Sequence, residues 1–141
     1  MAKAVAKGAG NGGAKVTLKR TENVQNQDFE DADGIIMGSP TYFGQMSAKL
    51  KHIIDDSIGV HTRLTGKVGG AFTNSGGTAT GAETTLLSIL QTMLIHGMKV
   101  QGNAEDKHYG PAAQGIPTKE DLQACEELGE KVAMLVQKLK E

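Results

Sequence analysis

The stretch Ala32-Asp33-Gly34-Ile35-Ile36-Met37-Gly38-Ser39-Pro40-Thr41-Tyr42-Phe43-Gly44-Gln45 decides the fold. Its centre, Gly34 to Gly38, is a continuous apolar run closed by glycine. A strand apolar on both sides has to be covered on both faces, which is the situation inside a parallel sheet. Directly after it come glycine, proline, hydroxyl and aromatic side chains. In open α/β sheets ligands bind beyond the carboxyl ends of the strands, and this loop stands at such an end. Pro40 stiffens the turn, Gly38 and Gly44 permit close backbone approach, and Tyr42 and Phe43 set two of the chain's five aromatic residues side by side. Free backbone donors beside an aromatic surface suit a flat heteroaromatic ring with polar edges; a Gly-Pro turn whose aromatics cap the core has the same spacing.

Outward from this segment the pattern alternates. Ala2 to Ala9 favours a short helix stopped by Gly10-Asn11-Gly12-Gly13, and Ala14 to Arg20 alternates apolar and polar like a half-buried strand. Thr21 to Asp33 is a polar, acidic connection with room for a short turn of helix. On the other side, Gln45 to Ser57 carries a helical stripe (Met46, Leu50, Ile53, Ile54), and Val68 to Phe72 reads as a second buried strand. It runs into the small-residue loop Thr73 to Gly81, where exposed amides and a helix dipole favour an acceptor-rich ligand. Thr80 and Glu83 have the spacing of a capping box opening a helix through Leu94 that Gly97 stops. Met98 to Gln101 is a brief strand candidate, Gly102 to Gly115 a loop. From Pro117, Thr118 and Asp121 an amphipathic helix runs to the C-terminus through Leu122, Cys125, Gly129, Val132, Val136 and Leu139. The order implies one α/β domain over 1–141, a parallel sheet with helices on both faces.

Composition narrows the function classes. The charge is −1, from 15 basic and 16 acidic residues, which gives no field for gathering nucleic acid or an anionic membrane. Glycine is 19 of 141 residues, well above the ~7% of average proteins, so several loops need backbone freedom. The single cysteine, Cys125, excludes an internal disulfide and lies on the apolar stripe of the last helix as a buried structural thiol. No apolar run approaches the ~18 residues of a membrane span and no signal segment opens the chain, so a cytoplasmic protein is expected. His52, His61, His96 and His108 show no metal-ligand spacing, and no structural metal is expected. Asp55 and Asp56 read as a solvated helix end, and no nucleophile–base arrangement follows from spacing.

The segment from Ala32 to Ser47 closely resembles the second flavin loop of flavodoxin-like proteins, and within them the WrbA-type NAD(P)H:quinone oxidoreductases. The likeness continues through Phe72 to Gly77, Leu94-Ile95-His96-Gly97-Met98 and Tyr109-Gly110 to the C-terminal helix. It implies a flavodoxin-like three-layer sandwich and an FMN cofactor. Ser39, Pro40, Thr41, Tyr42, Phe43 and Gly44 would line the isoalloxazine ring. Asn74, Ser75, Gly76, Gly77 and Thr78 would form the third flavin loop, one residue longer than usual before Glu83. His96 matches the family histidine of the flavin and quinone pocket, the candidate catalytic residue; as a residue before a helix-stopping glycine it also fits a favourable dipole position. The implied reaction is hydride transfer from NAD(P)H through FMN to a quinone-like small molecule, in a homo-oligomer (dimer or tetramer). A flavodoxin-type electron carrier and a cofactor-free scaffold are the alternatives.

Two departures stand out. Relatives begin with a buried strand and a Ser/Thr/Gly-rich loop around the FMN phosphate, whereas this sequence opens at Met1-Ala2-Lys3-Ala4-Val5, inside the first helix of the pattern. In the order 2-1-3-4-5 that strand lies between two others, so the expectation is that Ala14–Arg20 closes on Gly34–Gly38, that another chain fills the place, or that this is a truncated version of a longer protein; no orphan gap is expected between Ala14–Arg20 and Gly34–Gly38. Each charge-assisted phosphate bond is worth ~1.5–3 kcal/mol, so losing three weakens FMN by several orders of magnitude. The second departure is the lack of any tryptophan between Asp56 and Gly66, where relatives place one over the flavin; His61 is the nearest aromatic substitute.

Overall fold

The computed structural model describes all residues, Met1–Glu141. Helix α1 (Ala2–Asn11) is followed by an extended stretch, a single 3-10 turn (Thr21–Asn23) and a short helix α2 (Asn26–Asp31). Strand β1 (Gly34–Pro40), helix α3 (Ala48–Asp56), a 3-10 turn (Ser57–Val60), strand β2 (Val68–Ser75) and helix α4 (Ala82–Ile95) come next. Two short strands, β3 (Lys99–Val100) and β4 (Ala112–Gln114), precede the long helix α5 (Lys119–Lys140).

All pairings are parallel. β1 lies along β2 from Gly34 opposite Val68 to Pro40 opposite Asn74. The other edge of β2 is shared: β3 pairs with Val68 and Gly69, β4 with Thr73 to Ser75. One strand position is thus occupied in two pieces, interrupted by the residues between Gln101 and Pro111. Thr73 donates its amide to Pro111 and so begins the second piece.

The sheet is covered on both faces, as the apolar run in β1 requires. Ile35 and Met37 point into a cluster with Phe29, Leu50, Leu86, Ile89 and Met93, from α2, α3 and α4. Ile36 packs on the opposite side, against the cluster of Val68, Leu128 and Val132 under α5. Alternation within one strand therefore fills two cores. Helix α1 lies outside the second core and is joined to α5 backbone to backbone. A Cβ on Gly129 would stand 2.1 Å from the Val5 carbonyl oxygen, and one on Gly8 would be 1.8 Å from that of Glu126. Only glycine allows this crossing.

Helix ends follow local chemistry. Thr118 and Asp121 form a full capping box at α5, and Ser47 caps α3 by accepting from Leu50 N. At α4 the expected Thr80–Glu83 box is absent: the N-cap is Gly81 in a left-handed conformation, and Thr80 donates its hydroxyl to the Gly77 carbonyl instead. Within the connecting segments one short helix forms where the sequence left room for a turn, and one strand forms where it showed only loop. α2 is held by a reciprocal Gln25–Asp28 cap, and β4 by its three-residue ladder with β2.

The expected strand Ala14–Arg20 does not form, and the expectation that no orphan gap remains beside β1 is overturned. The segment is extended but exposed throughout, with Val16 41% and Leu18 52% accessible. From Lys15 to Arg20 its one backbone hydrogen bond is local, from Asn23 N to Arg20 O. β1 pairs with β2 only, so its second edge is bare. Alternation supplies the side-chain pattern of a strand, but a strand exists only where a neighbour completes its ladder. The segment is tied down instead by Lys19, whose Nζ meets the Asp28 carboxylate at 2.6 Å.

Candidate functional site

Two loops meet at the carboxyl ends of β1 and β2, beside the end of β4. The first is built on hydroxyl groups whose protons can be traced. Thr73, wholly buried, donates to the Ser39 carbonyl at 2.7 Å, so its contact with Thr41 at 2.8 Å has Thr41 as donor. Thr41 also donates its amide to Asn74 O, which ties the first loop to β2. Ser39 is 5% exposed; it donates its hydroxyl to Pro40 O and accepts from Ser47 N, which fixes where the loop returns into α3.

Between these anchors Tyr42 and Gln45 exchange both backbone hydrogen bonds at 2.9 Å. The two central residues, Phe43 (φ 50°) and Gly44 (φ 71°), are both left-handed, which is the tight primed turn of a two-residue hairpin. Glycine belongs there; a phenylalanine at positive φ is an outlier. Its ring gains nothing from the core, being fully exposed (107%), with Tyr42 beside it at 58%. The amides of Phe43 and Gly44 donate to no backbone carbonyl.

The second loop is clamped onto the first. A Cβ on Gly81 would fall 2.4 Å from the Cα of Gly44, and Thr84 donates its hydroxyl to Gly44 O at 2.7 Å. Asn74 and Ser75 are the last residues of β2 rather than loop, with Ser75 donating to Gly77 O and the Asn74 amide to Gly115 O. Thr78 donates to Gln114, joining this loop to the end of β4. The amides of residues 76–80 make no backbone hydrogen bond, leaving a second set of donors ahead of α4. Tyr109, 42% exposed, precedes β4 in the interruption of the split strand, with Gly110 against the Ala71 carbonyl midway along β2. No buried side-chain polar atom lacks a partner.

His96 is not brought to these loops. It follows α4 at its C-terminus, whereas Gly81 and the ring loops stand at its N-terminus. Fourteen residues at ~1.5 Å each separate the two by about 21 Å. His96 instead meets Ser57 Oγ through Nε2 at 2.8 Å and His61 through Nδ1 at 3.3 Å. Burial, and secondarily the neighbouring His61, hold its pKa below the usual histidine value. His61 shares that location, which also removes it from the wall of this chain's own ring loops. Cys125 is buried, and its thiol pKa is pushed up to about 11 by burial, as a structural thiol requires. Sequence reasoning missed the Thr41–Thr73–Ser39 relay and the Gly44–Gly81 contact, since both join residues more than thirty positions apart.

A doubly covered parallel sheet with glycine-rich loops gathered at one end defines the flavodoxin-like class. Residues 4–106 match the family model for NADPH-dependent FMN reductases, and the chain belongs to that family. It is 36% identical to an NAD(P)H dehydrogenase (quinone) from Archaeoglobus fulgidus, over 99% of this chain and 91% of that protein. A flavodoxin from Aquifex aeolicus is 36% identical over 94% of this chain and 77% of its own length. Among solved structures, the WrbA-like flavodoxin from Agrobacterium tumefaciens superposes with a TM-score of 0.80 at 27% identity, covering 96% of this chain and 87% of that one. No helix is long and apolar enough to cross a membrane.

Proposed function

We propose that the chain binds FMN by its ring and passes two electrons from NAD(P)H to a quinone-like small molecule. The observation that carries this is the Tyr42–Gln45 turn, which spends backbone strain to hold an aromatic ring in solvent beside unpaired amides. Strain of that kind persists only where surrounding contacts enforce it, and here Gly81 and Thr84 do so. The family match and the quinone dehydrogenase relative support the same reading.

The residues fit the ring half of FMN. The amides of Phe43 and Gly44, and those of residues 76–80, suit its carbonyl and nitrogen edge, while Tyr42 and Phe43 suit its face. Ser39, Pro40 and Thr41 shape the first wall; Asn74, Ser75, Gly76, Gly77 and Thr78 shape the second. The outer edge of β1 carries no strand, so no strand-end loop stands there to cradle a phosphate. Affinity then rests on the ring. Bound FMN supplies hydride acceptance and release. The chain's part is to hold the ring, aim amides at its polar edge and exclude water with the two aromatics. His96 acts as a catalytic residue only where a second copy brings the C-terminus of its α4 to these loops, so that role goes together with a homo-oligomer. A cytoplasmic location fits NAD(P)H as reductant.

The test is an FMN titration of the 141-residue chain by fluorescence quenching, followed by quinone reduction with NAD(P)H. Saturable quenching that weakens in Phe43→Ala, with turnover, is the expected result. Quenching without turnover assigns a carrier. No quenching at 100-fold excess flavin overturns the proposal and leaves a scaffold without its chemistry.

A further inference from the structure

The end of the sheet that carries the ring loops is built from uncharged chain. Gly38–Ala48, Val68–Ala82 and Tyr109–Thr118 contain no lysine, arginine, aspartate or glutamate. The charges that follow them, Lys49, Glu83, Lys119 and Glu120, are two of each sign. An ionic group entering between these loops meets no fixed counter-charge, and stripping its water there goes uncompensated. The part of a substrate that enters is therefore neutral, while any charged part stays outside in water.

One aliphatic side chain is displayed at this end without a partner. Ile116 is 90% exposed, yet its turn is held firmly. Gly115 donates its amide to Ser75 O at 2.8 Å, Asn74 Nδ2 donates to Gly115 O at 2.8 Å, and Thr78 donates its hydroxyl to Gln114 Oε1 at 2.8 Å. Gly115 is left-handed (φ 64°) and Pro117 has a locked φ, so the backbone is restricted on both sides of Ile116. The position directly before the Thr118 cap, whose side chain packs back onto a helix start, belongs to Pro117. Capping of α5 thus leaves Ile116 with no part to play.

Register relates this residue to the ring loops. Pro40, Asn74 and Ala113 lie side by side across β1, β2 and β4, and Phe43, Gly77 and Ile116 each stand three residues beyond that row. Two strand spacings of ~4.8 Å set the outer strands about 10 Å apart at the base. Between them lie Gly76, with open space where a side chain would be, and the unpaired amides of residues 76–80. Tyr42 and Phe43 on one side suit a ring face; an isoleucine on the other suits an aliphatic chain. Resting on the flavin and quinone reading above, we propose that the electron acceptor is an uncharged quinone bearing an aliphatic side chain, and that Ile116 receives that chain and sets the preference for it.

The probes are pentyl-1,4-benzoquinone and methyl-1,4-benzoquinone, which share a ring and a single alkyl substitution and differ in chain length alone. NMR of the isoleucine methyl groups, with and without FMN, reads the contact, and kinetics with NAD(P)H read the preference. The Ile116 methyl, assigned by its loss in Ile116→Leu, is expected to shift with the pentyl compound and much less with the methyl one. Ile116→Ser, a surface change, lowers the ratio of kcat/KM for pentyl over methyl quinone about five- to tenfold through KM, the loss of one partly covered isoleucine. Ile116→Leu keeps the ratio, and so does Leu139→Ser, an exposed apolar position at the far end of α5. An Ile116 methyl that the pentyl compound does not move, or a ratio indifferent to Ile116→Ser, overturns the proposal. A shifted methyl without turnover removes the hydride-transfer reading and leaves the aliphatic-chain site standing.

Discussion

Phe43→Gly separates stability from binding at a single position. Phe43 occupies a left-handed conformation (φ 50°) that costs an ordinary residue ~1–2 kcal/mol, and its fully exposed ring loses no burial when removed. Glycine relieves that cost but gives back ~0.5–1 kcal/mol through the freedom it adds to the unfolded chain. The net gain is about 0.5–1 kcal/mol, or roughly 2–4 °C in Tm for a domain of this size. Flavin binding moves the other way: an aromatic contact worth ~1–1.5 kcal/mol is lost, about tenfold in Kd. Phe43→Ala is the control, because it loses the ring and keeps the strain, so it binds as weakly as Phe43→Gly at unchanged stability. Urea unfolding and FMN quenching on the three proteins read both effects. A destabilised Phe43→Gly refutes the turn argument; unaltered flavin affinity in both variants refutes the loop as the ring site.

Gly129→Ala gains ~1 kcal/mol of helix propensity but drives a methyl against the Val5 carbonyl, so we expect a net loss of about 1–2 kcal/mol; a neutral urea midpoint contradicts the crossing. Thr73→Val leaves the Thr41 hydroxyl and the Ser39 carbonyl short of a partner under the ring loops, costing ~1–3 kcal/mol and loosening flavin binding, both measurable in one titration series. His96 has a folded pKa below its unfolded value of ~6.5, so the unfolded state binds the proton more readily. Stability is complete above pH ~6.5 and declines as the pH falls toward the folded pKa. In His96→Gln that slope should vanish from chemical denaturation between pH 7 and 5; its persistence would assign the titration to another group.

The sequence carried the doubly covered strand, both loop segments and the long C-terminal helix, because apolar runs, glycine clusters and the Thr118–Asp121 cap act within a few residues of one another. It misjudged Ala14–Arg20, since period-two alternation is silent on whether a neighbour exists to complete the ladder. β4 was hidden for the same reason: Ala112 to Gln114 is a strand only because Thr73 to Ser75 lies beside it. The His61–His96–Ser57 contact joins residues 35 and 39 positions apart, beyond any spacing rule. The Phe43 strain left a faint trace, an aromatic before Gly44 in a turn that demands two left-handed residues.

The bare edge of β1 has a consequence for handling this chain. Gly34 to Gly38 presents uncharged, β-prone backbone with one row of unmet hydrogen-bonding groups, the template on which strands of different molecules stack into fibrils. Pro40 terminates that template at one end, and Lys15 and Arg20, in an extended segment that forms no ladder with a strand, add charge that disfavours stacking. Solutions at high salt, where that repulsion is screened, are therefore the ones in which turbidity and thioflavin fluorescence should rise first.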